Sequence, residues 1–113
     1  MSPRFFEGSS GNRYPYLKMD LNAMPAWSLP AGNYLLVKDD EQHPEILFAG
    51  DSQNVWETLT ETTVWSDARA RGADAIYARP NPDQMARDAE RSDLVDKWLP
   101  PMNAPHRAGV DQE

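Results

Sequence analysis

No cysteine occurs in the 113 residues. That absence excludes disulfides, thiolate catalysis and cysteine-based zinc sites, and it makes a reducing, cytoplasmic setting the expected one. No apolar run approaches the roughly 18 residues needed to span a bilayer, so no membrane association is expected. The opening residues, MSPRFFEGSSGN, hold one early arginine and only two adjacent apolar residues, which is not a secretory signal. Histidine is scarce. His43 falls in a polar loop and His106 near the C-terminus, and neither has a second ligand at metal-binding spacing, so no metal site is expected. A glycine-rich phosphate loop is also missing.

Positive charge is in short supply as well. Eighteen acidic residues face 11 basic ones, a net charge of −7. Nucleic-acid binders gain affinity by neutralising phosphates with Lys and Arg, so the overall field here opposes such a partner. Arg69, Arg71, Arg79, Arg87 and Arg91 all lie in the second half and are expected on solvated helix faces.

What is present centres on Gly32–Gly50, GNYLLVKDDEQHPEILFAG. Two apolar runs, Tyr34–Val37 and Ile46–Ala49, flank a polar loop from Lys38 to Glu45, the pattern of an antiparallel hairpin. Asp39 and Asp40 fall at its tip and are expected to be solvated. Before it, Arg13–Leu21 alternates as a strand, with Pro15 placing it near a sheet edge. Residues 22–31 form a proline-containing loop around Trp27. Residues 1–12, with Gly8-Ser9-Ser10-Gly11, are expected to be a mobile arm whose Phe5 and Phe6 could dock on the body.

After the hairpin, Ser52 is the expected N-cap of a short helix carrying Val55, Trp56 and Leu59 on one face. The β-branched run from Thr58 to Thr63 should end it. A second helical piece, Trp65–Arg71, closes at Gly72, and Asp74–Arg79 returns to strand. Asn81-Pro82-Asp83 starts a last helix, with Asn81 as cap, running to about Trp98 before Pro100-Pro101. Met85, Ala89, Ser92, Val95 and Leu99 form its expected apolar stripe, widened by Leu94 and Trp98. Asp83, Asp88, Glu90, Asp93 and Asp96 should mostly face water; Glu90 and Asp93, three apart, could share a cation.

The coarse order is β–β–β–α–α–β–α. The fold class expected is α+β: a small, mainly antiparallel sheet of three or four strands with the hairpin at its centre, flanked by about three helices. One domain spans 13–103, followed by a tail at 104–113.

GNY at 32–34, FAG at 48–50, the following DSQNVWETL, the stretch GADAIYAR, Asp93-Leu94-Val95, and then Pro100 and Asn103 together resemble the GIY-YIG nuclease superfamily. The similarity covers Ala31 to Asn103. It implies two strands ending in the name-giving tripeptides, then a helix, and later a strand before a closing helix. Of the positions the family uses, the first tyrosine is kept as Tyr34. The second, held to help activate water, falls on Phe48, which has no hydroxyl to exchange a proton. The phosphate-steadying arginine falls on Thr58. The metal-holding glutamate falls on Arg91, whose cation would repel a metal. Asn54 and Asn103 agree with the pattern. A register shift of one residue would put Glu90 in the metal position, about 100° around the helix from the expected direction.

Three readings follow. The first is a catalytically inactive GIY-YIG-like binding module with no cofactor and a protein partner, its vestigial cleft formed by Tyr34, Phe48, Thr58 and Arg91 and its binding candidates Tyr34, Asn54, Trp56 and Asn103. The second is an active endonuclease using Mg²⁺ or Mn²⁺ at a site rearranged around Tyr34, Glu90 and Asp93. The third is a structural accessory subunit. The aromatic residues, among them Trp56, Trp65, Trp98 and Tyr77, are expected mostly in the core; any left exposed beside Phe48 would mark a binding face.

Overall fold

Five strands and three helices are defined in the computed structural model, which describes residues 3–23, 30–40 and 42–103. In chain order they are β1 (Arg4–Glu7), β2 (Arg13–Met19), β3 (Gly32–Lys38), β4 (Glu45–Ser52), α1 (Val55–Glu61), α2 (Val64–Ala70), β5 (Ala75–Pro80) and α3 (Gln84–Trp98). Trp27 and the tail 104–113, with His106, lie outside the described residues.

The strands form one antiparallel sheet in the order β1-β2-β5-β3-β4. The α+β class holds, but the sheet has five strands rather than three or four. The β3–β4 hairpin lies at one edge, not at the centre. The reason is a long-range pairing: β5 slots between β2 and β3, placing Leu17 opposite Ala78 and Leu35 opposite Tyr77. Gly32 is needed at that junction, because a Cβ there would run into the Arg79 carbonyl oxygen on β5.

Residues 4–7, expected in a mobile arm, are instead a paired strand. Gly8–Asn12 is the turn joining it to β2, closed by the Gly8 N–H donating to the Asn12 carbonyl at 2.8 Å. Phe6 supplies the physical reason. It is 1% exposed and meets the rings of Tyr16, Tyr77 and Trp98 edge-on at 5.8, 5.3 and 5.9 Å between centroids. Trp98 also donates its indole N–H to the Glu7 carbonyl at 2.9 Å.

Alternation along the strands builds two cores, one on each face. Tyr16, Leu35, Val37, Ile46 and Tyr77 meet Leu94 and Val95 of α3. Tyr34, Leu36, Leu47 and Ile76 meet Val55, Leu59 and Ala68 of α1 and α2. The hairpin slips by one residue between Leu36 and Val37, so that Leu36 faces Phe48 while Val37 faces Ile46.

Both helix caps shift from their expected positions. β4 runs on to Ser52, and Asn54 caps α1 by accepting from the Glu57 N–H at 3.0 Å. Asp83 rather than Asn81 caps α3, accepting from the Ala86 N–H at 3.0 Å. The expected stripe on α3 is out of phase. Met85 is 80% exposed and Leu99 61%, and Ala89 and Ser92 also face water. The buried positions are Arg87, Glu90, Leu94 and Val95. Periodicity failed because half of the inward face is ionic.

Past α3 the chain closes the sheet edge. The Met102 N–H donates to the Leu47 carbonyl at 3.0 Å, and the Asn103 carboxamide pairs with both backbone groups of Ala49 at 2.9 and 3.0 Å. The outward side of β4 is thereby occupied at Leu47 and Ala49. Among the described residues no helix is long and apolar enough to cross a membrane.

If β1 is integral to the core, Phe6→Ala should lower unfolding stability by about 3 kcal/mol or more in urea titrations. A change near zero would return residues 4–7 to the status of an arm.

Candidate functional site

The charges carried inward by α3 define the site. Glu90 is 3% exposed and packs onto the sheet face. Tyr16 on β2 donates to its Oε2 at 2.5 Å, and the Arg79 Nε on β5 donates to both oxygens at 3.0 and 3.1 Å. Asn81 reaches Oε1 at 3.5 Å and donates to Asn33 at 3.0 Å, while Asn33 donates to the Arg87 carbonyl at 3.1 Å. Burial and then the Glu90 charge push the Tyr16 hydroxyl well above its ordinary range. Glu90 is thus an ion-paired anchor for α3, not part of a wet face.

One residue on, Arg91 points toward the β4 edge. There a pocket of about 250 Å³ is lined by Tyr34, Phe48, Gly50, Asp51, Arg91 and Asn103, with the Ala49 backbone between them. The cross-strand register sets Tyr34 opposite Gly50. Gly50 is bare for a reason: a Cβ there would sit 2.5 Å from the Tyr34 Cζ and 2.7 Å from Phe48. The two rings lie 6.0 Å apart at 40°. Burial, followed by the Asp51 charge, pushes the Tyr34 hydroxyl up to about 12, so it stays protonated at neutral pH.

Asp51 gathers two cations. Arg87 Nε lies 3.5 Å from Oδ2 and Arg91 Nε 3.1 Å from Oδ1. Both distances mark charge proximity without aligned hydrogen bonds, since neither buried Nε has a hydrogen-bond partner among the described residues. Arg87 spends its Nη1 on the Asn81 and Pro82 carbonyls, each at 3.0 Å, and Arg91 Nη2 reaches Asp88 at 3.4 Å. Arg87 is 3% exposed, which overturns its expected place on a solvated face.

Of the residues singled out in the sequence, Tyr34, Phe48, Arg91 and Asn103 meet at this pocket. Thr58 does not line it; its hydroxyl bonds Ser52 at 2.7 Å. Asn54 is spent on capping, and Trp56 packs with the α1 and α2 core. Glu90 and Asp93 have separate partners rather than a shared one. Asp93 accepts from the Ser10 backbone at 2.8 Å, the Ser10 hydroxyl at 2.7 Å and Tyr14 at 2.7 Å. Asp39 is likewise not a solvated tip: it pairs with Arg4 and Lys18 and accepts from Tyr77 at 3.0 Å. His43 is exposed. Among the described residues no cluster of three His, Asp or Glu could hold a metal, and the large exposed apolar side chains are Phe5, Met85 and Leu99, none of them a Trp or Tyr. A larger cavity of about 500 Å³ lies between the end of β2 and α2, lined in part by Lys18, Leu21, Trp65 and Arg69. It borders Asn22, close to residues 24–29, which are outside the described set.

Sequence reasoning does not single out Asp51, and it leaves Arg87 on a solvated face instead of beside Asp51. The i, i+4 spacing of Arg87 and Arg91 was the available signal, since it puts two cations on one helical face. In comparisons with known proteins, the chain matches no family model, no curated protein and no solved structure.

Glu90→Ala leaves the Arg79 charge and the Tyr16 hydroxyl without their acceptor, so it should cost about 3–5 kcal/mol in chemical denaturation. Glu90→Gln, which keeps an acceptor, should cost less. Acid should act through Asp39 and Asp93. Burial works to raise both carboxyls, but hydrogen bonds outweigh it and hold them below the usual 3.8: Lys18, Tyr77 and Arg4 act on Asp39, and Ser10, Tyr14 and Ser9 on Asp93. A depressed folded value means that this stabilisation is fully present above the unfolded value and is lost as the pH falls through the folded one. The urea midpoint should therefore drop below about pH 4. The drop should be shallower in Asp93→Asn, which should already be weaker than the parent at pH 7.

Proposed function

We propose that the chain is a GIY-YIG-like domain that works by binding instead of hydrolysis, with a protein as its partner. The order β3–β4–α1–α2–β5–α3 supports the likeness, since two strands, a helix, a later strand and a closing helix are what the resemblance implies. The observation that carries the binding reading is the exchange of roles between neighbours on α3. Arg91 brings a cation to the pocket at the position where the family holds its metal, while Glu90 is turned onto the sheet and bonded to Tyr16 and Arg79.

The other groups support the same reading. Metal-assisted phosphodiester cleavage calls for a bound cation and an activated oxygen nucleophile. A tyrosine held protonated is a poor base near neutral pH, Phe48 has no hydroxyl, and the Thr58 side chain is engaged with Ser52. The chain's −7 charge favours a protein over a nucleic acid as the partner.

Incubation with plasmid DNA and with RNA in Mg²⁺ or Mn²⁺ should yield no cleavage. A partner recovered from the native source should be lost with Phe48→Asp, which places a charge on the pocket wall. Cleavage that disappears in Glu90→Gln would overturn the reading. A partner retained by Phe48→Asp and lost through substitutions on another face would favour an accessory subunit.

A further inference from the structure

The pocket beside β4 carries unspent hydrogen-bonding capacity of one kind. Tyr34 is 97% buried and lines the pocket, yet its hydroxyl has no hydrogen-bond partner among the described residues. Arg91 also lines it, with Nη1 unpartnered among the described residues, and Nε lacks an aligned acceptor. Two guanidinium groups face the carboxylate of Asp51, and the second carboxylate beside Arg91, Asp88, is half exposed and therefore screened. The Tyr34 hydroxyl and the Arg91 guanidinium thus share one small open pocket, beside which the buried Arg87 already faces Asp51.

We infer that this pocket takes a single carboxylate group, carried on a peptide segment of the partner, with the Arg91 guanidinium and the Tyr34 hydroxyl as its donors and Phe48 against the adjoining apolar part. Size and charge select this class. The volume of about 250 Å³ is below the roughly 300 Å³ at which whole-ligand pockets begin, a size suited to a side chain or chain terminus. A planar carboxylate matches the guanidinium fork. A phosphate would bring up to two charges toward Asp51 and a chain of net charge −7, whereas a carboxylate brings one. The inference rests on the cleft being the partner-binding face.

Phenylacetate serves as the probe, titrated into the ¹⁵N-labelled full chain by NMR beside phenylacetamide and inorganic phosphate. Phenylacetate should give saturable shifts at the Gly50 and Asp51 amides and the Arg91 Nε–H, while the neutral amide leaves them in place and phosphate binds more weakly. Arg91→Gln should weaken phenylacetate at least tenfold. Tyr34→Phe, which keeps the ring, should weaken it severalfold with the amide spectrum otherwise preserved. Equal response to phenylacetamide, tighter binding of phosphate, or wild-type titration by both variants overturns the inference. If phenylacetate is ignored while Phe48→Asp still abolishes partner capture, the carboxylate assignment fails and the binding-module reading stands. Carboxylate binding with capture unaffected by Phe48→Asp overturns that reading instead, and with it the peptide as carrier.

Discussion

A carboxylate placed under a helix, away from water, costs several kcal/mol unless charge and hydrogen bonds compensate it. Glu90 meets that requirement by drawing one partner from each of two strands, Tyr16 from β2 and Arg79 from β5, with Asn81 at longer range. Those partners are fixed in the sheet, so the helix can satisfy Glu90 at only one rotation about its axis. That rotation turns Leu94 and Val95 onto the sheet and Met85 out to water. It also sends Arg87 and Arg91 toward Asp51 at the sheet edge. Helix phase is decided here by an ionic contact, and the apolar packing follows it.

The second constraint acts at the edge itself. β4 would otherwise present free backbone groups to solvent or to another chain. Asn103 mimics a neighbouring strand at Ala49, and Met102 takes the Leu47 carbonyl. This clasp brings the end of α3 and the residues after it against β4, which gives the pocket its far wall. Gly50 then leaves room for the Tyr34 ring to lie across the strand. The pocket is where the anchored helix and the closed edge meet. Neither constraint alone would make a chamber.

Much of the local structure could be read from the chain because it rests on local signals. The β3–β4 hairpin, β2, β5, the close of α2 at Gly72 and the end of α3 before Pro100 all follow from alternation or from punctuation by proline and glycine. What could not be read depends on partners far away in sequence. RFFE looks like part of an arm until Phe6 meets Tyr77 and Trp98. Gly8-Ser9-Ser10-Gly11 resembles a linker until Asp93 accepts from Ser10 and Tyr14. The centre of the sheet belongs to β5, the last strand to arrive, which no hairpin signal could announce. Three of the four expected cleft positions, Tyr34, Phe48 and Arg91, line one pocket with Asn103 while Thr58 does not, and the places of Asp51 and Arg87 escape any rule that puts charged residues in water.

The division of labour between Glu90 and Arg91 is therefore hard to reverse. Neighbouring residues on an α-helix point about 100° apart. Turning α3 far enough to bring Glu90 to the β4 edge would strip Arg79 and Tyr16 of their acceptor and rotate Leu94 out of the core. It would also move Arg91 away from Asp51, leaving that carboxylate in the pocket with less positive charge nearby. The cost of buried, unpaired charge alone, about 3–5 kcal/mol, is a large share of the stability typical of a domain this size. A carboxylate-for-metal arrangement on this scaffold would call for coordinated changes at the sheet, the helix and the edge together. The contacts that hold α3 in place are the same contacts that bring Arg91, and not Glu90, to the pocket beside Tyr34.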